Sequence, residues 1–231
     1  MSCDASPWVP GQLVILISGP SGSGKSTLIA RLLADDPRVC FSVSVTTRDR
    51  RTGEEDGEAY HFVSEAAFDE RLAAGSFLEW AEVYGKRYGT PVSEASRIHQ
   101  AGKDALFDLD SVGGRNLMRA IDGDGRGGPE REPAEAGQVV SVFIFPPEAA
   151  ALRQRLTARG TDSEEIIEAR LALVREQSAS YVDYRYLIVN DDLEGAYDAL
   201  RAIITAERAL RVRQTARAAA ILKTFDKRDD T

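Results

Sequence analysis

A glycine-rich decapeptide near the start of the chain constrains the possible folds more than any other feature. Residues 18–27 are SGPSGSGKST, with the spacing G-x-x-x-x-G-K-S from Gly19 to Ser26. The apolar run LVILI precedes it at 13–17, and TLIARLLADD follows Ser26 with apolar residues at helical spacing. The pattern predicts a buried parallel strand, a glycine-rich turn and the N-terminus of a helix, in that order.

This loop is expected to bind the phosphates of a nucleoside triphosphate. Free backbone N–H groups and the helix dipole at a helix N-terminus favour an anion, and glycines let the backbone curl around it. Lys25 would reach the β- and γ-phosphates, and the Ser26 hydroxyl would be a ligand of Mg²⁺. The loop alone does not identify the group that receives the phosphate. The predicted triphosphate-binding residues are Gly19, Pro20, Ser21, Gly22, Ser23, Gly24, Lys25, Ser26 and Thr27.

The composition is that of a globular protein and argues against several classes of partner. With 231 residues, of which 43% are hydrophobic, the chain can form one α/β domain or a core with an inserted lobe. A net charge of −8 argues against free nucleic acid or an anionic membrane as a general partner. The sequence contains no run of 18 apolar residues and no signal-peptide pattern. Cys3 and Cys40 have neither metal-ligand spacing nor a disulfide framework, so a cytoplasmic protein is expected.

Strand-like and helical patterns alternate along most of the chain. After the first strand, apolar segments that predict core strands lie at 105–110, 139–145 and 186–190, with helical patterns between them. This alternation predicts an α/β fold of the P-loop NTPase type, a three-layer sandwich with a parallel core sheet. Residues 40–64 and 77–90 differ, because short alternating segments surround charged or glycine-containing turns. They predict an inserted mixed β/α lobe at the carboxyl edge of the core sheet, where ligands bind in such folds.

Further motifs follow the phosphate loop in a fixed order. In this order the set resembles the guanylate kinase family, from about Val14 to Ile204 and outside the 122–138 segment. Several separate motifs at fitting spacing make this resemblance more specific than a phosphate loop alone. The motifs are SVTTRDRRTGE at 44–54, GEAYHF at 57–62, FLEW at 77–80, YGT at 88–90, LD at 109–110, FPP at 145–147, RGTD at 159–162 and NDD at 190–192.

The resemblance implies a nucleoside monophosphate kinase of purine nucleotide metabolism. Its reaction would be the transfer of the γ-phosphate of ATP to GMP, giving ADP and GDP, with dGMP as a second acceptor. Mg²⁺ would bridge the phosphates of the donor, and the protein would be a monomer or a homodimer. Since positioning and charge stabilisation carry this chemistry, no protein nucleophile is expected.

The segments and the resemblance together predict a domain organisation. Residues 122–138 are rich in glycine, proline and charge and predict a flexible surface insertion. A region at about 150–180 is expected to form a helical lid. The predicted parts are a flexible N-terminal arm (1–11), a core P-loop kinase domain (12–39 and 91–206), a GMP-binding lobe (40–90), and a C-terminal helix and tail (207–231).

For the acceptor, the resemblance implies contacts with both the base and the phosphate of GMP. A carboxylate at Glu79 would accept the N1–H and 2-amino donors of guanine, while Ser44 and Thr90 would donate toward O6. The same arrangement disfavours the binding of adenine, because adenine N1 is an acceptor and would face the carboxylate. Taken alone, Glu79 could equally be a solvated charge on a strand. The implied GMP-binding residues are Ser44, Arg48, Arg51, Tyr60, Glu79, Tyr88, Thr90 and Asp110.

The phosphate of the acceptor requires positive charge and hydrogen-bond donors. By resemblance, Arg48 and Arg51 would bind it, because the forked guanidinium suits phosphate. The hydroxyls of Tyr60 and Tyr88 would donate to the same phosphate. Without this context, the arginine-rich turn that also contains Arg50 would be interpreted as solvated.

The transferred phosphoryl group also requires cations and a metal-organising carboxylate. By resemblance, Arg159 and Arg170 lie on the lid and would close on the triphosphate, and Asn190 would lie beside the adenine. Asp108 would organise the metal or, alternatively, have a structural role, and Arg155 is interpreted as a charge on a helix surface. The implied catalytic residues are Lys25, Arg48, Asp108, Arg159 and Arg170, with Asn190 added to the ATP-binding set and Ser26 as the metal ligand.

Three positions depart from the family pattern, and two other functions remain possible. Arg50 replaces the usual proline, Arg87 the tyrosine before Tyr88, and Val112 the glutamine after the Asp110 region. One alternative is a non-catalytic guanylate kinase-like scaffold, which would typically have a degraded phosphate loop. The other is a related small-molecule kinase, such as a ribose bisphosphokinase, which would not need a base-recognition set.

Overall fold

Strands and helices alternate along residues 11–83, 85–123, 139–158 and 164–225, which this computed structural model describes. The strands are β1 (Val14–Ser18), β2 (Val39–Phe41), β3 (Val45–Thr46), β4 (His61–Phe62), β5 (Phe77–Val83), β6 (Lys86–Pro91), β7 (Asp104–Asp108), β8 (Val139–Phe145) and β9 (Tyr186–Val189). The helices are α1 (Lys25–Asp35), α2 (Glu65–Ala73), α3 (Val92–Gln100), α4 (Ser111–Asp122), α5 (Ala149–Ala158), α6 (Glu164–Ser178), α7 (Leu193–Ala209) and α8 (Arg211–Phe225).

The central sheet is parallel throughout. Its strand order is β2-β7-β1-β8-β9, and each neighbouring pair runs in the same direction. Every residue of β1 is buried, as expected for a strand in the middle of a sheet that is covered on both faces. Cys40 and Phe41, at the start of the predicted lobe, pair with β7 and therefore belong to this sheet.

Alternate residues of β1 face two apolar clusters, one on each side of the sheet. Ile15 packs in one cluster with Leu28 of α1 and Leu200 of α7. Leu16 packs in the other cluster with Leu117 of α4. Because successive side chains of a strand point to opposite faces, a single apolar strand supplies the core of both layers. The predicted three-layer α/β sandwich is confirmed.

A second, mixed sheet is formed by the segment that the sequence assigned to an inserted lobe. Its order is β4-β3-β6-β5; β3 pairs in parallel with β4, and the other pairs are antiparallel. Phe68 of α2 is fully buried against this sheet, and its ring stacks on Phe77 with the centroids 4.7 Å apart. The sheet and α2 therefore share an apolar cluster of their own.

Arg87, one of the departures from the family pattern, has a structural explanation on the outer side of this sheet. Its guanidinium lies 4.7 Å from the ring centroid of Phe68 and forms salt bridges with Glu65 and Asp69 of α2. Because neighbouring strand residues face opposite sides, Tyr88 points the other way. Arg87 thus attaches β6 to α2 and leaves the inner face unchanged.

The last helices extend the core in two directions. In the α5–α6 pair, Leu152 packs against Ile167 and Val174, at the place where a helical lid was predicted. The sequence at 193–224 has helical character throughout, but the structure divides it at Leu210, whose non-helical backbone separates α7 from α8. In the described part of the chain, no helix combines the length and the apolar character that crossing a bilayer requires.

Some predicted features fall outside the described residues. These are the N-terminal arm before Gly11, residues 124–138 of the insertion, residues 159–163 of the lid region and the tail after Phe225.

Candidate active site

A cavity of about 420 Å³ opens where the phosphate loop, the end of β7 and the second sheet meet. It brings together residues that are far apart in sequence, from the loop that follows β1 to the hairpin of β5 and β6. The predicted site residues that line it are Gly19, Pro20, Ser21, Gly22, Ser23, Gly24, Lys25, Ser26, Thr27, Ser44, Tyr60, Glu79, Tyr88, Asp108 and Asp110.

The phosphate loop has the conformation that its glycines predict. Gly19 and Gly24 have φ values of 149° and 87°, a region that side chains with a Cβ rarely adopt. A Cβ on Gly19 would also lie 2.3 Å from the carbonyl oxygen of Ile144. Gly24 is the N-cap of α1, so Lys25 and the following residues present a helix N-terminus to the cavity. This is the arrangement that binds phosphate.

Lys25 and Asp108 connect the loop to the core sheet. The Lys25 Nζ lies 3.4 Å from the Asp108 Oδ1, and both residues line the cavity. Asp108 is the last residue of β7, next to β1. The pair places a cation and a carboxylate beside the loop, where a triphosphate and its metal would lie.

The available ligands fit a magnesium ion that arrives with its nucleotide. The Ser26 hydroxyl and the Asp108 carboxylate both line the cavity. No group of three or more histidine, cysteine or acidic side chains that could hold a metal occurs among the described residues. Mg²⁺ is typically bound by one or two protein oxygens together with substrate phosphates and waters, so this sparse set fits the ion.

Glu79 is a buried carboxylate at the acceptor side of the cavity. Only 6% of the residue is exposed, and its Oε1 accepts a 2.6 Å hydrogen bond from the Thr90 hydroxyl across the β5–β6 pair. Its Oε2 is buried without a hydrogen-bond partner among the described residues. Burial, with a smaller effect of Asp110, raises the pKa of Glu79 to about 7. The burial rules out the alternative of a solvated strand charge.

Gly113, which the sequence patterns did not predict, keeps space open beside Glu79. Asp110 caps α4, accepting a hydrogen bond from the Gly113 N–H at 2.8 Å. A Cβ on Gly113 would lie 3.2 Å from the Glu79 Oε2. A glycine three residues after a capping aspartate at the carboxyl end of a strand is the signal that could have identified it.

A cluster of tyrosines and one arginine lies next to the base-recognition residues. The rings of Tyr60 and Tyr88 are in edge contact, with centroids 5.8 Å apart. The guanidinium of Arg48 lies 5.3 Å from the Tyr60 ring centroid, and the Tyr88 hydroxyl lies near the same guanidinium. Burial, followed by the nearby charge of Asp108, raises the pKa of Tyr60 to about 12, so Tyr60 remains a hydroxyl donor at neutral pH.

The remaining predicted residues lie around the cavity or outside the described part of the chain. The side chain of Asn190 donates a 2.7 Å hydrogen bond to the carbonyl oxygen of Ser23, so it supports the phosphate loop from behind. Arg51 is exposed at the turn after Arg48. Arg159 and the side chains of Arg155 and Arg170 are outside the described residues.

The two other departures lie at the surface. Arg50 is exposed in the turn that follows β3, and Val112 is 40% exposed in the first turn of α4. Neither side chain lines the cavity. The substitutions therefore leave the geometry of the site intact.

Comparison with known proteins gives a consistent result. The family model for guanylate kinase matches residues 11–125 and 128–207. A guanylate kinase of Symbiobacterium thermophilum is 45% identical over 95% of both chains. A guanylate kinase of Rhizobium meliloti is 44% identical over 87% of this chain and 86% of its own. The crystal structure of guanylate kinase from Anaplasma phagocytophilum superposes with a TM-score of 0.67 at 29% identity, covering 90% of this chain and 92% of that chain. The chain therefore belongs to the guanylate kinase family.

Proposed function

We propose that this chain is a guanylate kinase that transfers the γ-phosphate of ATP to GMP, with dGMP as a second acceptor, and releases ADP and GDP. One observation carries the proposal above the others. Glu79, buried and hydrogen-bonded to Thr90, lines the same cavity as an intact phosphate loop. The cavity therefore combines a site for guanine with a site for a triphosphate.

Base recognition follows from the donors and acceptors of the pair. Because Thr90 already donates to one oxygen of Glu79, the carboxylate is held in place before a base enters. Ionised Glu79 would accept from the N1–H and 2-amino groups of guanine, and the Ser44 hydroxyl, which lines the same cavity, would donate to O6. The single proton of the Thr90 hydroxyl is already donated to Glu79, so Thr90 would position the carboxylate and would not donate to O6. Adenine would place its N1 lone pair against the carboxylate, and such opposed buried groups are strongly disfavoured.

Transfer would proceed by positioning and charge stabilisation. Arg48, Arg51, Tyr60 and Tyr88 would hold the GMP phosphate so that one of its oxygens is in line with the γ-phosphorus of ATP. Lys25 and the loop N–H groups would stabilise charge on the donor phosphates. Asp108, whose Oδ1 lies 3.4 Å from the Lys25 Nζ, would help to organise the metal. Arg159 and Arg170 are proposed to complete the cationic surroundings of the transferred group.

Magnesium would be held by the Ser26 hydroxyl, with Asp108 beside it and the nucleotide phosphates as further ligands. When bound, it would neutralise charge on the phosphates of ATP. The residues of the chain would orient the two substrates and exclude water, which could otherwise accept the phosphoryl group. Asn190 would contribute to ATP binding through the loop backbone that it supports.

Two features that the family alone does not determine are also proposed. A protein whose substrates are ATP and GMP, and whose cysteines lack a disulfide framework, is expected in the cytoplasm. It is expected to act as a monomer or a homodimer, without nucleic acid or membrane as a partner.

A coupled assay with ATP and GMP, AMP, CMP or UMP tests the proposal, with ribose bisphosphate as a further acceptor. GMP and dGMP should be phosphorylated with kcat/KM values far above those of the other compounds. Preferred phosphorylation of ribose bisphosphate would indicate a sugar phosphate kinase. A folded protein that transfers phosphate to none of the acceptors would indicate a scaffold.

A further inference from the structure

Glu54 makes a set of contacts that the assignments above do not use. Its carboxylate faces the end of the Arg48 guanidinium, with Arg48 Nη2 at 2.8 Å from Oε1 and Nη1 at 3.0 Å from Oε2. The same Oε2 accepts a 2.8 Å hydrogen bond from the backbone N–H of Arg51. One carboxylate therefore contacts both arginines that were assigned to the acceptor phosphate.

The contacts leave one defined edge of the Arg48 guanidinium available. The carboxylate occupies the end that is formed by Nη1 and Nη2, and the remaining Nη1–H donates to the carbonyl oxygen of Asp49 at 2.7 Å. Among the described residues, these hydrogen bonds leave Nε–H and the second N–H of Nη2, which lie side by side along one edge of the plane. Arginine binds phosphate in a bidentate manner through such an edge. Tyr88, another predicted phosphate donor, contacts the same guanidinium.

The surroundings of the Arg48–Glu54 ion pair favour a single, fixed geometry of the two side chains. The side chains of Arg48 and Glu54 are only 13% and 21% exposed. The Arg48 guanidinium also lies on the rings of Tyr60 and Phe62, at 5.3 Å and 5.7 Å from their centroids. Hydrogen bonds from Arg48 and then from the Arg51 backbone lower the pKa of Glu54, so the carboxylate stays ionised at neutral pH.

We infer that Glu54 is a positioning residue for the acceptor phosphate: it holds Arg48 in the orientation that presents its Nε–Nη2 edge, and it fixes the turn that carries Arg51. The inference rests on the proposed function, because the phosphate concerned is that of GMP. Arginine has many rotamers, and ordering it in advance reduces the entropy that substrate binding would otherwise lose. Glu54 would act through Arg48 and would not touch the substrate.

A carboxylate that contacts Arg48 could instead compete with the incoming phosphate, and this role predicts the opposite change in GMP affinity. If Glu54 occupied the position of the incoming phosphate, its removal would strengthen GMP binding. The observed geometry argues against this role, because Glu54 binds the end of the guanidinium and leaves the side edge open. The sign of the change in GMP affinity separates the two roles.

The test compares the binding of GMP and of guanosine, which lacks the phosphate, by titration calorimetry. Glu54→Gln should raise the Kd of GMP about tenfold, as expected for the loss of a hydrogen bond between charged groups, and leave the Kd of guanosine unchanged. Glu55→Gln removes the same charge from the neighbouring exposed residue and should change neither value. Glu54→Asp keeps the charge and should restore part of the GMP affinity. In turnover assays the KM for GMP should rise while the KM for ATP stays constant.

A double-mutant cycle adds a readout that a purely structural role would not change. In an Arg48→Ala background, Glu54→Gln should weaken GMP binding by less than twofold. Tighter GMP binding by Glu54→Gln, an equal loss for guanosine, or full additivity with Arg48→Ala would each overturn the inference. If the wild-type chain bound no GMP, both the inference and the proposed function would be refuted. Normal GMP binding by wild type and by Glu54→Gln would refute the positioning role alone.

Discussion

At the scale of single residues, Glu79 is a buried carboxyl group whose Oε2 has no hydrogen-bond partner among the described residues. A buried carboxylate oxygen without a partner destabilises the free protein, because it has lost its water and gained nothing in return. In the proposed complex, the N1–H and 2-amino groups of guanine would donate to this carboxylate. The free energy that the unpaired oxygen costs in the free protein would therefore be recovered when guanine binds, which would favour guanine over bases that lack these donors.

The substitution Glu79→Gln tests this account directly. It keeps the size but turns one acceptor into a donor, which would oppose N1–H or the 2-amino group of guanine. Opposed buried donors cost about 1–3 kcal/mol, so kcat/KM for GMP should fall roughly 10- to 100-fold. The preference for GMP over AMP should weaken, since an amide can donate to adenine N1. Glu82→Gln, an exposed neighbour on β5, is the control, and an unchanged preference in Glu79→Gln would exclude Glu79 from base recognition.

The raised pKa of Glu79 predicts a pH dependence of base binding. Its pKa in the free protein is about 7, and only the ionised form accepts from both donors of guanine. Guanosine affinity should therefore be constant above about pH 8 and fall by about tenfold for each pH unit well below 7. Guanosine is the ligand of choice because it has no phosphate that titrates in this range. Calorimetry from pH 5.5 to 8.5 would measure the dependence, and a flat profile would contradict it.

The sequence predicted which residues lie at the site better than it predicted their pKa values and their contacts. Gly19, Lys25 and Glu79 could be recognised because their motifs are local. The pKa of Glu79 and the contacts of Glu54 could not, because both depend on which side chains the fold places around them. Asn190 illustrates the difference, since its motif is local but its contact with Ser23 joins two distant segments.

At the scale of elements, α8 is attached through its first turn. Arg213 forms a salt bridge with the buried Glu207 of α7 at 3.2 Å, and Gln214 donates to the carbonyl oxygen of Arg208. Beyond this turn every residue of α8 is exposed, with Phe225 77% exposed. The anchoring of α8 is thus concentrated in two side chains near its start.

Two truncations follow from this distribution. A chain that ends after Thr215 keeps the anchor and should retain its activity and its Tm to within about 2 °C. A chain that ends after Leu210 loses Arg213 and leaves Glu207 with fewer partners, so its Tm should fall by about 5 °C, from a loss of about 1–3 kcal/mol. Calorimetric melting of both proteins would measure the difference. Equal Tm values would show that Arg213 does not stabilise the core.

Element boundaries were the part of the fold that sequence periodicity could not determine. The helical pattern at 193–224 contains no proline, and its one glycine, Gly195, lies in the first turn of α7, yet the backbone is non-helical at Leu210. The buried pair of Glu207 and Arg213 requires the chain to turn back there. The reason for the break is therefore a tertiary contact, which no local pattern contains.

At the scale of the whole molecule, Arg208 joins three elements that are distant in sequence. Its Nε donates to the Asp104 carboxylate at 2.7 Å, and it also pairs with Asp36 after α1. The other oxygen of Asp104 accepts from the Leu13 N–H. Burial alone would raise the pKa of Asp36, but hydrogen bonds from Arg38 and Arg208 lower it to about 2. The stability that Asp36 contributes is therefore present above about pH 4 and is lost as the pH falls toward 2.

Arg208→Met should destabilise the whole fold. It would leave Asp104, which is 6% exposed, as a buried charge without its cation, and breaking such a pair costs about 3–5 kcal/mol. The Tm should fall by about 10 °C, whereas kcat at 20 °C should be unchanged because the network is outside the cavity. Arg201→Met removes an exposed arginine from the same helix, whose side chain is 60% exposed, and should leave the Tm within about 2 °C. Similar melting of the two variants would show that the Arg208 network does not stabilise the fold.

The second sheet is built from one uninterrupted stretch of chain, from β3 to β6, whereas the phosphate loop belongs to a different sheet. The side chains assigned to the base and to its phosphate are therefore inherited as a block, apart from the aspartate that caps α4. Such a block can be exchanged, duplicated or diversified during evolution without altering the machinery that handles ATP. Because the two sets of residues belong to different sheets, acceptor specificity and the machinery for phosphoryl transfer can evolve independently.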